Sequence, residues 1–469
     1  MKLENIIKGT DARILYGSPE TEINHICSDS RKAGDGSLFI AVKGFATDGH
    51  KYTESAISAG AAAVISASRR DLALAAANFY GHPSEKLTLV GITGTNGKTT
   101  TVTLLYNLFT GLGYCCGLLS TIANFVGEQR SETANTTADP ITINDLMAQM
   151  VAKGCEYCFM EVSSIGMEQE RVAGLKFKIA IFSNLTHDHL DYHGTFAEYL
   201  RCKKLFFDSL DSDAVAITNI DDRNGEIMVQ NTSARVVRYA CKSIADHNCK
   251  ILEESFDGML LKIDGVETWT KLIGQHNAYN LLAIYSAAIE AGATKEEALV
   301  GISRLESACG RLETLRGPKE LSVIIDYAHT PDAMENVLKT LRDIAPEKEL
   351  ICLFGCGGDR DKTKRSEMAE VAEKFADRII VTSDNSRSED TEAIMMDIRA
   401  GLSPAGIARS VFIADRKEAI RSAILFASRG ATILLAGKGH ETYQIIGKET
   451  RHFDEREIVK ETFQNMTIN

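Results

Sequence analysis

At 469 residues, 44% hydrophobic and 25% charged, the chain is long enough for about three ordinary domains of ~150 residues, and its composition excludes disordered and fibrous classes. A formal net charge of -12 opposes a sequence-independent attraction to nucleic acid, so any phosphate binding must be local. Met1-Lys2-Leu3-Glu4-Asn5 has no apolar signal core, and Ala56 to Ala67 falls short of the ~20 residues of a membrane helix; a cytoplasmic protein without membrane insertion is expected.

The chain reads in three parts. Residues 1–86 form a small α/β unit, with a strand at Ser37-Leu38-Phe39-Ile40-Ala41-Val42 and a small-residue helix near Ala56 to Ala63, closed by the polar punctuation His82-Pro83-Ser84-Glu85-Lys86. Residues 87–308 alternate apolar strands (Leu87-Thr88-Leu89-Val90, Phe159-Met160-Glu161-Val162, Ile179-Ala180-Ile181-Phe182, Ala214-Val215-Ala216-Ile217) with helical periodicities. Such near-continuous apolar runs predict a doubly wound α/β domain on a parallel sheet covered on both faces. A helix from Asn277 to Ala291 closes it. Residues 309–469 predict a third, Rossmann-like α/β domain, with strands at Ser322–Ile325, Ile351–Phe354 and Ile379–Thr382. The 11 cysteines are odd in number and mostly sit in apolar runs, the usage of reduced buried thiols. Cys155-Glu156-Tyr157-Cys158 has the spacing of half a metal site, but no second Cys/His pair at zinc spacing follows.

The sharpest motif is Gly91-Ile92-Thr93-Gly94-Thr95-Asn96-Gly97-Lys98-Thr99-Thr100, between a strand and a helix whose face carries Val102, Leu104, Leu105, Leu108, Phe109 and Leu112. Glycines let backbone N–H groups approach phosphate oxygens, the helix N-terminus adds positive potential, Lys98 reaches the terminal phosphates, and Thr99 can ligate Mg²⁺. Gly91 precedes Gly97 by one residue more than the common phosphate loop allows. An enzyme using Mg-ATP also needs anionic or imidazole metal ligands. Glu161, at a strand end before Ser163-Ser164, offers one, and Asn184 to His193 packs three histidines and two aspartates into a short stretch, readable as metal ligands, a zinc site or a solvated polar turn.

With these motifs in hand, the sequence resembles the Mur ligase family of peptidoglycan synthesis, and most closely its tripeptide-forming branch. The likeness spans essentially the whole chain. It rests on Gly94-Thr95-Asn96-Gly97-Lys98-Thr99, Glu161-Val162-Ser163-Ser164, Asp188-His189-Leu190-Asp191, Gly310-Arg311, Asp326-Tyr327-Ala328-His329-Thr330-Pro331, Gly355-Cys356-Gly357-Gly358-Asp359-Arg360 and Gly437-Lys438-Gly439-His440-Glu441. The resemblance implies domains for a UDP-sugar peptide (1–86), for ATP (87–308) and for an incoming amino acid (309–469). The substrate carboxylate would take the γ-phosphoryl group of ATP, and an amine would displace phosphate from the acyl phosphate.

The resemblance further implies roles. Thr99 and Glu161 would ligate one Mg²⁺ and His189 would assist a second, while Lys98 and Arg311 hold the β- and γ-phosphates together with Gly94, Thr95, Asn96, Gly97 and Thr100. Lys203, in Tyr199-Leu200-Arg201-Cys202-Lys203, matches a lysine carbamylated by CO₂, which turns a cation into an anion for the second metal; read by itself it is a solvated lysine beside Lys204. His276, Asn277 and Asn280 would meet the adenine side and Asp326 would contact ATP. Ser28, Ser30, Phe45, Ala46 and Thr47 would hold the UDP part. Asn135, Thr136, Thr137, Ser163, Gln169 and Arg171 would hold the muramoyl peptide, a short polar turn being the competing reading for each.

Asp384-Asn385-Ser386-Arg387 stands where relatives that add meso-diaminopimelate carry Asp-Asn-Pro-Arg. Diaminopimelate has a second carboxylate that lysine lacks, so Arg387 and Arg360 could each pair with it, with Gly437 and Glu441 at its distal amino end. Replacing proline restores a backbone N–H and frees φ, which predicts a looser loop. Ile165, Ala138 and Ser307-Ala308-Cys309 also depart from the family pattern, but none removes a metal or phosphate ligand. The expectation is a monomeric diaminopimelate-adding ligase; the alternatives are a lysine-adding or divergent Mur-type ligase, another superfamily ligase such as the folyl-polyglutamate one, and a non-catalytic nucleotide-binding paralogue.

Overall fold

The computed structural model describes every residue except Phe45, Ala46, Ala134, His187, Asp188, His189 and Asn469, and omits the side chains of Leu190, Asp191, Thr467 and Ile468. It contains two compact units: Met1–Leu185 with His193–Asn248 and Leu281–Ile302, and Thr186–Tyr192 with Cys249–Asn280 and Ser303–Asn469.

The first unit begins with a four-stranded sheet ordered Arg13–Tyr16, Ala63–Ala67, Ser37–Val42, His25–Cys27, its first strand antiparallel. Its own core includes Leu3, Ile6, Ile26, Leu38, Ile40 and Ile65. The helix expected over Ala56 to Ala63 is instead Thr53–Ser58, and Ala63–Ala67 is a buried strand. Gly60, at φ +101°, breaks the helix after one and a half turns, and the β-branched Val64 and Ile65 then pack better on a pleated surface than on a helix.

The larger sheet of this unit runs Arg235–Ala240, Val215–Asn219, Ile179–Phe182, Thr88–Thr93, Tyr157–Glu161, Cys116–Leu119, all parallel, and ends in the antiparallel Asn124–Val126 and Gln129–Ser131. The apolar runs read as strands are strands, buried on both faces. Thr88–Thr93 lies at the centre, with the chain's later strands added on either side; at such a switch point ligands bind outside the strands' carboxyl ends. Helix Lys98–Gly111 follows directly and buries Val102, Leu104, Leu105, Leu108 and Phe109, the predicted face.

The second unit centres on a sheet ordered Glu313–Arg316, Ser322–Asp326, Thr432–Ala436, Leu350–Phe354, Arg378–Val381, Ser410–Phe412, parallel except for its first strand. Helix Pro331–Ile344, capped by the Thr330 hydroxyl, lays Met334, Val337, Leu338 and Leu341 on one face of this sheet. Helices Arg416–Leu425 and Glu455–Ile468 supply the core on the other face. They are joined by a wholly buried ion pair, Arg416 to Glu455 at 2.8 Å, whose guanidinium also donates to the Ser383 and Ala436 carbonyls at 3.1 and 2.8 Å. That arginine therefore anchors the ends of two strands. Among the described residues no helix is long and apolar enough to cross a membrane.

Removing one member of a buried pair strands the other charge. Glu455→Ala is expected to lower unfolding free energy by about 3–5 kcal/mol in chemical denaturation, far more than removal of an exposed pair such as Arg429–Glu320.

Candidate active site

In the first unit the motif folds as a phosphate loop should. Thr88–Thr93 delivers the chain to Gly94 at φ +153°, where an added Cβ would lie 1.9 Å from the Ser183 Oγ, and Gly97 at φ +88° opens the helix. Ser183 and Asn184, from the end of the neighbouring strand, clamp the loop: the Ser183 hydroxyl donates to the Asn96 carbonyl (2.7 Å), and Asn184 accepts from the N–H groups of Thr95 and Asn96 (2.8 and 2.9 Å). Sequence reading placed Asn184 near the metal cluster; its part here is to shape the loop.

Two lysines converge on the same carbonyl. Lys98 Nζ donates to the Gly94 and Thr95 oxygens at 2.9 and 2.8 Å, and Lys203 Nζ donates to the Gly94 oxygen at 2.7 Å. Lys203 is 1% exposed and lies 4.6 Å from the centre of the Tyr199 ring, so it is no solvated surface lysine. The Tyr199 hydroxyl is 3.1 Å from the Thr95 hydroxyl, a tie between helix Phe196–Asp208 and the loop that the sequence did not signal.

Glu161, at the end of the strand beside the loop strand, is fully buried. Its carboxylate accepts from the Thr121 backbone N–H (2.8 Å) and hydroxyl (3.1 Å), and among the described residues it forms no ion pair. A carboxylate withdrawn from water with only neutral donors is stabilised by a cation, so the residue fits Mg²⁺, with the buried Thr99 in the first turn of the adjacent helix. His189, expected at a second metal, lies outside the described residues, as do Phe45 and Ala46.

The peptide-side residues cluster partly. The Thr137 hydroxyl donates to the Glu161 carbonyl (3.0 Å) and lies 3.1 Å from the Ser163 hydroxyl, Arg171 donates to the Thr137 carbonyl and Gln169, and the Thr136 hydroxyl lies 3.1 Å from that of Thr121. Asn135 is exposed on the same turn. Ser28, Ser30 and Thr47 sit on partly exposed turns beside the N-terminal sheet.

In the second unit Arg311 stacks 4.8 Å from the centre of the Tyr327 ring, and its buried Nε has no hydrogen-bond partner among the described residues. His276 and His440 flank it; burial first, then the arginine's charge, pushes their imidazoles down to about 4 and about 3. A buried cation with an unfilled donor and neutral neighbours suits a phosphate. Asp326 accepts from the Leu312 and Ala328 N–H groups at 2.7 and 2.8 Å, so it fixes the Gly310-Arg311-Leu312 turn beneath the arginine. Asn277 bonds the Ile273 carbonyl and Asn280 bonds Asn277, building the start of helix Gln275–Glu290.

The amino-acid residues gather at the strand ends of this unit. Arg387 adopts φ +51°, held by its N–H to the Ile445 carbonyl (3.2 Å) and by Gly447 N–H to its own carbonyl (2.7 Å), and its guanidinium donates to the Gly358 carbonyl at 2.8 Å. The loop with serine for proline is thus pinned and buried at Ser386, contrary to the looseness expected. Asn385 donates to Glu441 at 2.9 Å; Gly437, at φ +111°, donates its N–H to the Asp326 carbonyl at 3.0 Å. Arg360 is exposed beside Gly357. Missed in the sequence were Arg365, buried and bound to Glu389, Asp397 and the Gly357 carbonyl, and Lys438.

A clamped phosphate loop, a buried carboxylate beside it and an arginine with an open donor define a nucleotide-dependent enzyme of the phosphate-loop class. The chain matches the Mur ligase middle domain over residues 92–288, the Mur ligase glutamate ligase domain over 310–439 and the catalytic domain of the Mur ligase family over 22–90. It is 47% identical, over 99% of its length and 100% of the relative's, to a Phocaeicola vulgatus protein named UDP-N-acetylmuramoyl-L-alanyl-D-glutamate–2,6-diaminopimelate ligase. A Bacillus cereus protein of the same name is 41% identical over 100% of both chains. A solved structure of that name covers 100% of this chain and 99% of its own at 30% identity and a TM-score of 0.71. The ADP complex of the Thermotoga maritima MurF ligase, 17% identical with a TM-score of 0.65 over 95% of this chain and 97% of its own, shares the fold. The chain belongs to the Mur ligase family, whose three-domain α/β architecture it shares. It is therefore an ATP-dependent ligase, with ATP and Mg²⁺ as its general cofactors.

The neutral histidines give a pH test. Their folded pKa values lie below the unfolded value of about 6.5, so between there and about pH 4 the unfolded chain binds more protons than the native one. Stability is expected to fall as pH drops through that window, and Arg311→Met should move the His276 and His440 NMR titrations upward.

Proposed function

We propose that the enzyme joins meso-diaminopimelate to UDP-N-acetylmuramoyl-L-alanyl-D-glutamate, with hydrolysis of ATP to ADP and phosphate, in the cytoplasm and as a monomer. The observation that carries this reading is the 47% identity, over the full length of both proteins, to a relative named for that reaction. Arg387, anchored in the loop Asp384-Asn385-Ser386-Arg387, supports it.

The domains divide the work: residues 1–86, with Ser28, Ser30, Phe45, Ala46 and Thr47, receive the UDP part; 87–308 bind ATP and the muramoyl peptide; 309–469 bind the amino acid. Lys98 leaves the loop carbonyls for the phosphates of ATP, and Arg311, in the second unit, has a donor suited to a phosphate oxygen. Thr99 and Glu161 would hold Mg²⁺, which would supply positive charge against the phosphates; Lys203, carbamylated, and His189 would serve a second ion. Lys203 is placed for this role, buried against the loop with its Nζ 2.7 Å from the Gly94 carbonyl. Thr137, Ser163, Gln169 and Arg171 orient the peptide carboxylate towards the γ-phosphate. The acyl phosphate turns a poor leaving oxygen into a good one, and the diamino acid, held through Arg360, Arg387, Asp384, Asn385, Gly437 and Glu441, presents its amine to it.

Phosphate release from Mg-ATP and the UDP-dipeptide should be stimulated by meso-diaminopimelate and not by L-lysine; equal stimulation by lysine would overturn the specificity. Lys203→Ala should lose activity and regain part of it with formate or acetate, and full activity without rescue would sink the carbamate. Thr121→Val keeps the backbone donor on Glu161 but removes the hydroxyl, so the Mg²⁺ needed for half-maximal rate should rise by about tenfold while the rate at saturating Mg²⁺ changes little.

A further inference from the structure

Lys438 is wholly buried, and its ammonium donates to the Asn385 side-chain oxygen (3.1 Å), to Glu441 (3.2 Å) and to the Tyr443 carbonyl (2.7 Å), with the Asp384 carboxylate 3.5 Å away. The rings of Tyr443 and Phe453 lie 5.8 and 5.9 Å from it. One ammonium thus faces two carboxylates. Arg416 is also near Asp384, but its charge is already matched by Glu455 at 2.8 Å. The cluster therefore holds one negative charge too many for a site withdrawn from water.

The two carboxylates share the lysine unequally. Burial pushes Asp384 up, but Lys438 and then Arg416 outweigh it and hold the group below the usual carboxylate range. Burial pushes Glu441 up as well, and there Lys438 does not offset it, with Asp384 adding to the rise. The Glu441 and Asp384 side chains are nearly equally withdrawn, 13% and 10% exposed, and that of Lys438 is not exposed at all. Besides these, the groups facing Glu441 are the Asn385 amide and the Tyr327 and Tyr443 phenols, both pushed up.

We propose that Lys438 is a positioning residue for the incoming diamino acid: it neutralises Asp384, holds Asn385 and Glu441 in register, and leaves the cluster one positive charge short, which the substrate's distal ammonium supplies. This rests on the amino-acid site proposed above. It makes Lys438 a determinant of affinity for the substrate's distal ammonium without touching the substrate. An amino acid lacking that ammonium would leave the buried negative charge unmatched, so the same balance disfavours it.

The test uses the full-length enzyme, with phosphate release followed against meso-diaminopimelate at saturating ATP and UDP-dipeptide. Lys438→Met is expected to raise the KM for diaminopimelate by about thirtyfold with kcat and the KM for ATP within about threefold, and to move the acid limb of kcat/KM for diaminopimelate upward by about one pH unit. Lys438→Arg should recover part of the affinity. An unchanged KM and acid limb in Lys438→Met, or equal rises in KM for all three substrates, would overturn the proposal. If Lys438→Met does not fold, the double variant Lys438→Met/Glu441→Gln, which keeps the cluster at one net negative charge, is expected to fold and to bind diaminopimelate weakly with a flattened acid limb; failure of that variant to fold would overturn the charge balance. Wild-type enzyme without stimulation by diaminopimelate would remove the functional reading and this inference together, whereas normal wild-type stimulation with an unaffected Lys438→Met would remove only the inference.

Discussion

A carboxylate that leaves water without a counter-ion is a standing cost to a fold, and among the described residues Glu161 is such a group. Its position follows from parallel pairing: Glu161 sits opposite Ile92 on the strand that feeds the phosphate loop, so strand register alone brings the anion to the loop's edge. Around it Thr121 supplies neutral donors, and among the described residues Glu161 forms no ion pair. Much of the surrounding structure can be read as holding that unbalanced charge in place: Thr137 bonds its backbone carbonyl, Ser163 caps the next short helix, and Ser183 and Asn184 fix the loop across the sheet. The second unit carries the opposite imbalance at Arg311, a cation with an unfilled donor between two uncharged imidazoles.

The sequence was most legible where one strand or one loop carries the information. Runs such as Ile179–Phe182 and Leu350–Phe354 are continuous because both their faces are covered, and they announced the parallel sheets directly. The phosphate loop was equally plain, since its chemistry is compressed into neighbouring residues. The alanine-rich stretch after Ala56 was misjudged because small residues fit either a helix or a buried strand, and only Gly60 and the β-branched pair Val64-Ile65 decide. Short antiparallel pieces such as Asn124–Val126 with Gln129–Ser131 gave too little periodicity to be seen.

In the site, residues that act through contacts distant in sequence stayed hidden. Tyr199 meets Thr95 across more than a hundred residues, and Thr121 reaches Glu161 from another strand end; neither belongs to a motif. Lys438 was visible as a letter in a motif, but its burial between two carboxylates was not. Asp326 was expected at the nucleotide; that its carboxylate accepts two backbone N–H groups under the Arg311 turn was not legible. Serine at 386 was expected to loosen a loop that tertiary bonds at Arg387 in fact hold. A proline restricts φ locally; a backbone bond to Ile445 achieves the same restriction from a distance.

That loop bears on attempts to re-engineer the enzyme for other amino acids. The Ser386 carbonyl fills the space a side chain at Gly358 would need, and Arg387 holds a left-handed conformation that most residues resist. Exchanges at 358, 386 or 387 would therefore disturb the backbone before they altered side-chain chemistry. Arg360, exposed and bound by no such restraint, is the place where libraries of substitutions would sample new substrates without unfolding the loop that receives them.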